Sequence, residues 1–142
     1  MPSAAAACSC TVSAKPFRVF SGERGLHTLC LLDIKVKERT TENLIRGRNI
    51  YEPPRYMTAA EAANQLLAIV DGRKSRGDAL AYDGGTVCVG LGRIGWADQK
   101  IHSCTLAEMR DYDMGPPLHS LIIAGKMHPM EKEMLEFWNE SP

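Results

Sequence analysis

Thr86-Val87-Cys88-Val89-Gly90-Leu91-Gly92-Arg93-Ile94-Gly95 decides how the rest of the chain is read. Its first six residues form a short apolar run with β-branched side chains, preceded by the turn signal Asp83-Gly84-Gly85. That is the pattern of a buried strand. Gly90, Gly92 and Gly95 then match G-x-G-x-x-G, and two readings stay open. One is a dinucleotide fingerprint, in which glycines bring backbone close to a pyrophosphate at a helix N-terminus. The other is a strand that ends in a Gly-rich turn. The polar run Ala97-Asp98-Gln99-Lys100 separates the glycines from the next helix start at Thr105, so they do not open a helix. Another strand also precedes this one, whereas the fingerprint usually sits on the first strand of its unit.

Working outward, Thr105-Leu106-Ala107-Glu108 is a capping box that opens a short helix toward Tyr112, and Gly115-Pro116-Pro117 breaks it. Leu118-His119-Ser120-Leu121-Ile122-Ile123-Ala124 reads as a strand. Gly125 and Lys126 turn the chain, and Pro129 suits a first helical turn, with Met130, Met134, Phe137 and Trp138 available to bury. In the other direction, Thr58 and Glu61 form a capping box. Ala63, Leu66, Leu67 and Val70 then fall at i, i+3, i+4 and i+7 on one helix face. Tyr51-Glu52-Pro53-Pro54-Arg55 is a loop, because proline lacks an N–H and restricts its predecessor. Thr40 to Arg46 fits a short helix. Thr28-Leu29-Cys30-Leu31-Leu32-Asp33-Ile34 reads as one buried strand. The order of strand, helix, strand, helix, strand, helix predicts an α/β fold, a layered sheet with helices packed on it.

The sequence has 142 residues, 44% hydrophobic and 24% charged, a mix that can bury a core. No run approaches the roughly 20 apolar residues of a membrane span. Lys plus Arg and Asp plus Glu balance at 17 each, so the electrostatic footprint of a general nucleic-acid or anionic-membrane binder is missing. Residues 1–25 differ from the rest: Ala- and Ser-rich at first, then basic, with Glu23 the only acid. They read as an unrelated, unstructured leader, with a mitochondrial leader as the other reading.

The five cysteines are odd in number, with no secretory pattern, which argues for a reducing compartment. Cys30 and Cys88 lie in apolar runs and read as core thiols. Cys8 and Cys10 have no second chelating pair at finger-like spacing, so no metal is expected. His27, His102, His119 and His128 show no metal-protease spacing. A lone His near a strand, such as His119, reads as a hydrogen-bonded structural residue. No G-x-S-x-G elbow and no P-loop occur, and Asp111 and Asp113 read as solvated charge.

Several segments together resemble the second domain of the diphthine synthase family, the diphthine methyl ester synthases. Leu26 to Glu38 resembles the segment that opens that domain. The resemblance continues in Ile50-Tyr51-Glu52-Pro53-Pro54-Arg55-Tyr56-Met57, in Cys88 to Gly95 and in Asp98-Gln99-Lys100-Ile101. It closes with Pro117 to Ile123 and His128-Pro129-Met130-Glu131. The blocks keep their order and spacing from Leu26 to about Trp138.

The resemblance implies a tetrapyrrole-methylase-like methyltransferase that uses S-adenosylmethionine in a cleft between two α/β domains. Its substrate is a modified histidine of translation elongation factor two, in diphthamide synthesis. It implies a cytoplasmic protein, a possible homodimer, and no direct nucleic-acid or membrane partner. Residues 26–142 correspond to the C-terminal domain, and the expectation is that the N-terminal domain is absent. Leu32, Leu91, Gly92 and His119 match positions that contact the cofactor, as binding residues and not as acid or base; no catalytic residue and no metal is expected. Loss of the first domain would impair activity and expose an apolar face. Three functions follow: the family's methyl transfer, a non-catalytic binding or dimerisation module derived from it, and a dinucleotide-binding fragment.

Overall fold

The structure, a computed structural model, describes residues 25–77 and 80–139. The leader and Cys8 and Cys10 lie outside the described residues. The main sheet has four strands: β1 (Thr28–Leu31), β4 (Val87–Gly92), β5 (Lys100–Thr105) and β6 (His119–Ile123). Their order is β1-β6-β4-β5, and every neighbouring pair is antiparallel. A separate ribbon pairs β2 (Ile34–Lys35) with β3 (Arg55–Tyr56). The helices are α1 (Thr41–Ile45), α2 (Ala59–Lys74), α3 (Leu106–Met109) and α4 (Pro129–Glu136).

The core lies between one face of the main sheet and helices α2 and α3. Ala59, Ala62, Ala63, Leu66 and Val70 of α2 and Leu106 and Met109 of α3 meet Cys30, Cys88, Leu121 and Ile123 of the sheet. Leu67, at the margin of the expected stripe, is partly buried. The layered α/β architecture and both capping boxes are therefore as expected: Thr58 with Glu61, and Thr105 with Glu108, each bond reciprocally to the other's backbone. At Gly90 the side chains of Met109, from α3, and Met114 press against β4. A Cβ there would sit 2.9 Å from Met109 Cε and 3.0 Å from Met114 Sδ.

The run from Thr28 to Ile34 is not one buried strand. Leu29 and Leu31 are exposed, only Cys30 and Leu32 reach the core, and the run breaks after Leu31 to join a second ribbon. The physical reason is cover: period-2 alternation puts every other residue on the face away from α2 and α3, and there Leu29 and Leu31 stay exposed. The stretch between Gly92 and Thr105 holds a strand where the sequence reads as a polar bend. Lys-Ile-His-Ser-Cys-Thr has little apolar pattern, and β5 forms because β4 offers it a full ladder from Val87↔Thr105 to Gly92↔Lys100. Helix α4 also departs from expectation. Met130, Met134 and Phe137 are exposed, and Trp138 is 39% exposed, because no described element packs over that side of the helix. The helix is held instead by its ends: a His128–Glu131 capping box fixes its start, Glu131 meets His27 Nε2 at 3.5 Å, and Trp138 O accepts from Ser103 N at 2.7 Å.

His102 is buried on β5 and stacks on Tyr112, with ring centroids 3.7 Å apart, and Lys100 Nζ lies over the same Tyr112 ring. Burial, and then the Lys100 charge, hold this imidazole below the ordinary 6.5, against an opposing pull from Glu108. The unfolded chain therefore takes up a proton at a pH where the folded chain does not. The stability tied to a neutral His102 is complete above 6.5 and falls as the pH drops from 6.5 toward the lower folded value. Urea midpoints taken at about pH 7.5 and about pH 5.5 should differ less for His102→Gln than for the parent chain. An unchanged difference would remove His102 as its source.

Candidate functional site

Leu32, Leu91, Gly92 and His119 come together at one end of the main sheet. β6 is the central strand of this end: Ser120 faces Leu31 on one side and Leu91 on the other, and His119 faces Gly92. Leu32 directly follows β1. Strand alternation divides the four. Gly92, His119 and Leu32 are buried on the side of α2 and α3, whereas Leu91 is half-buried on the opposite side.

His119 is held at both ring nitrogens. Nδ1 accepts from Ala59 N at 3.3 Å, and Nε2 lies 2.9 Å from Pro116 O. A carbonyl only accepts, so the ring carries its proton on Nε2 and donates it to Pro116. This imidazole thus joins the first turn of α2 to the loop before β6, the hydrogen-bonded structural role read for it from sequence. It has no free lone pair for acid–base work.

Gly90, Gly92 and Gly95 do not form a phosphate cradle. β4 ends at Gly92, and the chain turns back into antiparallel β5 with no helix start near Gly95. The geometry is a Gly-rich hairpin, and the anion-binding helix terminus of the dinucleotide reading is missing. What holds this hairpin is Arg93, which the sequence reading did not single out. Its Nε meets Asp98 Oδ2 at 2.7 Å, Nη2 reaches Asp98 O at 2.9 Å, and Nη1 donates to Met114 O and Pro116 O. Arg93 N donates to Leu118 O as well. One guanidinium therefore ties the β4–β5 turn to the loop that leads into His119.

Arg93 keeps its side chain although its φ is 50°, a left-handed conformation that costs a non-glycine residue roughly 1–2 kcal/mol. Arg93→Ala keeps that backbone cost and loses the bonds of a charged donor, each worth about 1.5–3 kcal/mol. Arg93→Gly loses the bonds and relieves the backbone. Both should lower stability, with the alanine variant worse by about 1 kcal/mol. Equal denaturant midpoints would show that backbone conformation contributes nothing here.

On the open side, a cleft of about 240 Å³ is lined by Leu91, Arg93, Ile94, Trp96, Leu118 and Ser120, among others. Trp96 is 72% exposed, and Ile94 and Leu118 are about half exposed, so the cleft opens onto an apolar surface that continues to Leu31 at 81%. Exposed apolar surface of this kind marks an interaction or ligand site. Nothing in the sequence flags Trp96, since it stands outside any apolar period. Among the described residues no group of three or more His, Cys, Asp or Glu could hold a metal ion. No helix among them is long and apolar enough to cross a membrane. Asp111 and Asp113 are exposed, as expected of solvated charge.

No family model matches the chain. The chain is 58% identical over 118 residues to diphthine methyl ester synthase of Homo sapiens, which covers 82% of this chain and 41% of that protein. It is 55% identical over 112 residues to diphthine methyl ester synthase of Dictyostelium discoideum, covering 79% of this chain and 40% of that protein. A crystal structure assigned as a diphthine synthase of Entamoeba histolytica superposes with a TM-score of 0.73 at 34% identity. It covers 93% of this chain and 46% of that one. The chain thus spans about two fifths of the length of the curated relatives it matches.

Proposed function

This chain is homologous to the C-terminal part of diphthine methyl ester synthases, and from that we propose that residues 26–142 serve as the second domain of an S-adenosylmethionine-dependent methyltransferase. The substrate of the proposed activity is the modified histidine of translation elongation factor two, in diphthamide biosynthesis. The observation that carries this reading is the 58% identity sustained over 118 residues. A cytoplasmic location goes with a translation factor as substrate.

The residues present fit S-adenosylmethionine as one wall of a site. The cleft of about 240 Å³ beside Leu91 is smaller than the roughly 300–1,000 Å³ of ordinary ligand pockets, so it suits one portion of the cofactor, such as the adenine ring. Trp96, Ile94 and Leu118 offer the apolar surface such a ring requires. Of the four expected binding residues only Leu91 lines this cleft and would pack against the ring; Leu32 and Gly92 lie on the buried face and would reach a ligand only through backbone at the sheet end. His119 would act by holding the sheet end in place, and it presents to a ligand whatever ring edge its two hydrogen bonds leave.

When bound, the cofactor supplies a methyl group on a sulfonium that is already a good leaving group. The protein's part is then to orient donor and acceptor and to keep water out. A second reading, a non-catalytic binding or dimerisation module, is favoured by the exposed Leu31, Trp96 and Leu118. A homodimer would cover the same surface.

Isothermal titration of S-adenosylmethionine, S-adenosylhomocysteine and NAD into the purified chain tests the proposal, followed by a methyl-transfer assay on elongation factor two. Saturable heat from the first two and none from NAD supports a cofactor half-site. No heat from any ligand, with a folded circular dichroism spectrum, sinks enzymatic activity of this chain alone and leaves the module.

A further inference from the structure

Cys88 and Cys104 stand directly opposite each other on β4 and β5. Residues so paired in an antiparallel ladder have Cα atoms about 4.5–5.5 Å apart, inside the roughly 4.4–6.8 Å that a disulfide spans. Both thiols are free. They are not equivalent. Cys88 is fully enclosed by the core, at 0% exposure. Cys104 lines a cleft of about 520 Å³ between the edge strand β5 and helix α4, with Ser103, Thr105, Glu108 and Leu135 among the other lining residues. Both are buried, but Cys104, on the edge strand and 8% exposed, is the more accessible of the two, and Cys88 lies behind it in the core.

We propose that Cys88 and Cys104 form a peroxide-reactive dithiol, with Cys104 as the attacking sulfur and Cys88 as the resolving one. The Cys104 thiolate attacks one oxygen of hydrogen peroxide and breaks the O–O bond. Cys104 becomes a sulfenic acid, and the departing hydroxide takes the proton that Cys104 lost and becomes water. The Cys88 sulfur then attacks the Cys104 sulfur, forming the S–S bond and breaking the S–O bond. The hydroxyl leaves with the Cys88 proton as a second water. Two thiols are oxidised by two electrons, and one peroxide is reduced to two waters.

The polarity of the pair supports this order. The Cys88 thiol donates to the Cys104 sulfur and holds Cys104 below the ordinary thiol range, against burial and Glu108. The same bond, with burial, pushes Cys88 up. Cys30, on the far side of β6, is pushed up to about 11 by burial and has no cysteine opposite it; its partner is Leu121. The product would staple β4 to β5 next to α3 and close a loop that contains the Arg93 turn.

The test uses the whole folded chain and hydrogen peroxide as the probe, followed by trypsin and mass spectrometry without reduction. Arg93 and Lys100 lie between the two cysteines, so residues 77–93 and 101–110 separate unless a disulfide joins them. The expected product is that joined pair, lighter by two hydrogens than the two peptides together, with Cys30 still a thiol. Cys88→Ala should stop at a Cys104 sulfenic acid, trapped by dimedone. Cys104→Ser should leave Cys88 unreacted. The proposal is overturned if Cys88 joins Cys30 instead. It is equally overturned if both thiols persist in the folded chain and oxidise only after urea is added. The parent-chain map decides between these outcomes even if a variant fails to fold.

Discussion

Replacing Leu121 with alanine is expected to remove about 2–5 kcal/mol of stability, the usual cost of a buried Leu→Ala change. Against the roughly 5–15 kcal/mol of a typical domain, that is enough to leave a large unfolded fraction. Leu121 is fully buried on β6, the strand that joins β1 to β4, and it faces Cys30 on one side and Gly90 on the other. Neither neighbour can fill the hole, since glycine has no side chain and cysteine is small. The flexible ends of Met109 and Met114, already crowded against Gly90, are the groups free to move in. Their movement would place the loss at the lower end of the range. Leu31→Ala, on the exposed face of β1, should change stability by no more than about 0.5 kcal/mol. Urea denaturation of both variants checks the contrast. Similar losses would mean that the two faces of the sheet are equally covered in solution, which would itself point to a partner on the open face.

Gly125→Ala should be comparably damaging, for a different reason. A Cβ at Gly125 would collide with Gly25 O and lie within 2.5 Å of the Leu26 carbonyl carbon and oxygen. These are backbone atoms. They cannot swing aside as a side chain does. The segment 25–27 is also tied to this spot by Lys126 N donating to Gly25 O at 2.8 Å and Gly125 N donating to His27 Nδ1 at 3.1 Å. Relief of the collision would pull these bonds apart and shift the start of β1 away from β6. A loss of about 3 kcal/mol or more is expected. Gly90→Ala offers the control: the atoms nearest its Cβ would be the Sδ and Cε ends of two flexible methionine side chains, which can retreat, so about 1 kcal/mol should be lost. If Gly90→Ala proves the worse of the two, the packing of α3 on β4 is stiffer than its methionines imply.

Much of the fold was legible in the sequence because local chemistry carries it. Thr58 with Glu61 and Thr105 with Glu108 fix two helix starts by reciprocal hydrogen bonds within four residues. The stripe Ala63, Leu66 and Val70 fixes which face of α2 is buried. The apolar runs at Val87–Gly92 and His119–Ile123 form the two inner strands of the sheet, flanked on both sides, and continuous hydrophobicity signals that position. The strands at the edges were the ones misread. β1 looked fully buried because sequence does not reveal that one of its faces lacks a cover. β5 was invisible because an edge strand tolerates Lys100, His102 and Ser103 and gains its order from β4.

The candidate site divides the same way. The resemblance to diphthine synthases selected Leu32, Leu91, Gly92 and His119 as separate positions, and the glycines of the hairpin stood out by composition. Only the tertiary structure decided that antiparallel pairing gathers these four at one end of the sheet and sets Leu91 on the opposite face from Gly92 and His119. It also decided that G-x-G-x-x-G here closes a hairpin, that Arg93 clamps that hairpin to the loop before β6, and that Cys88 and Cys104 stand side by side. The sequence by itself determined what depends on neighbours within one turn or one strand: caps, helix faces and inner strands. The fold decided which distant residues meet, because strand register is set by pairing across the sheet, and no local pattern encodes the partner.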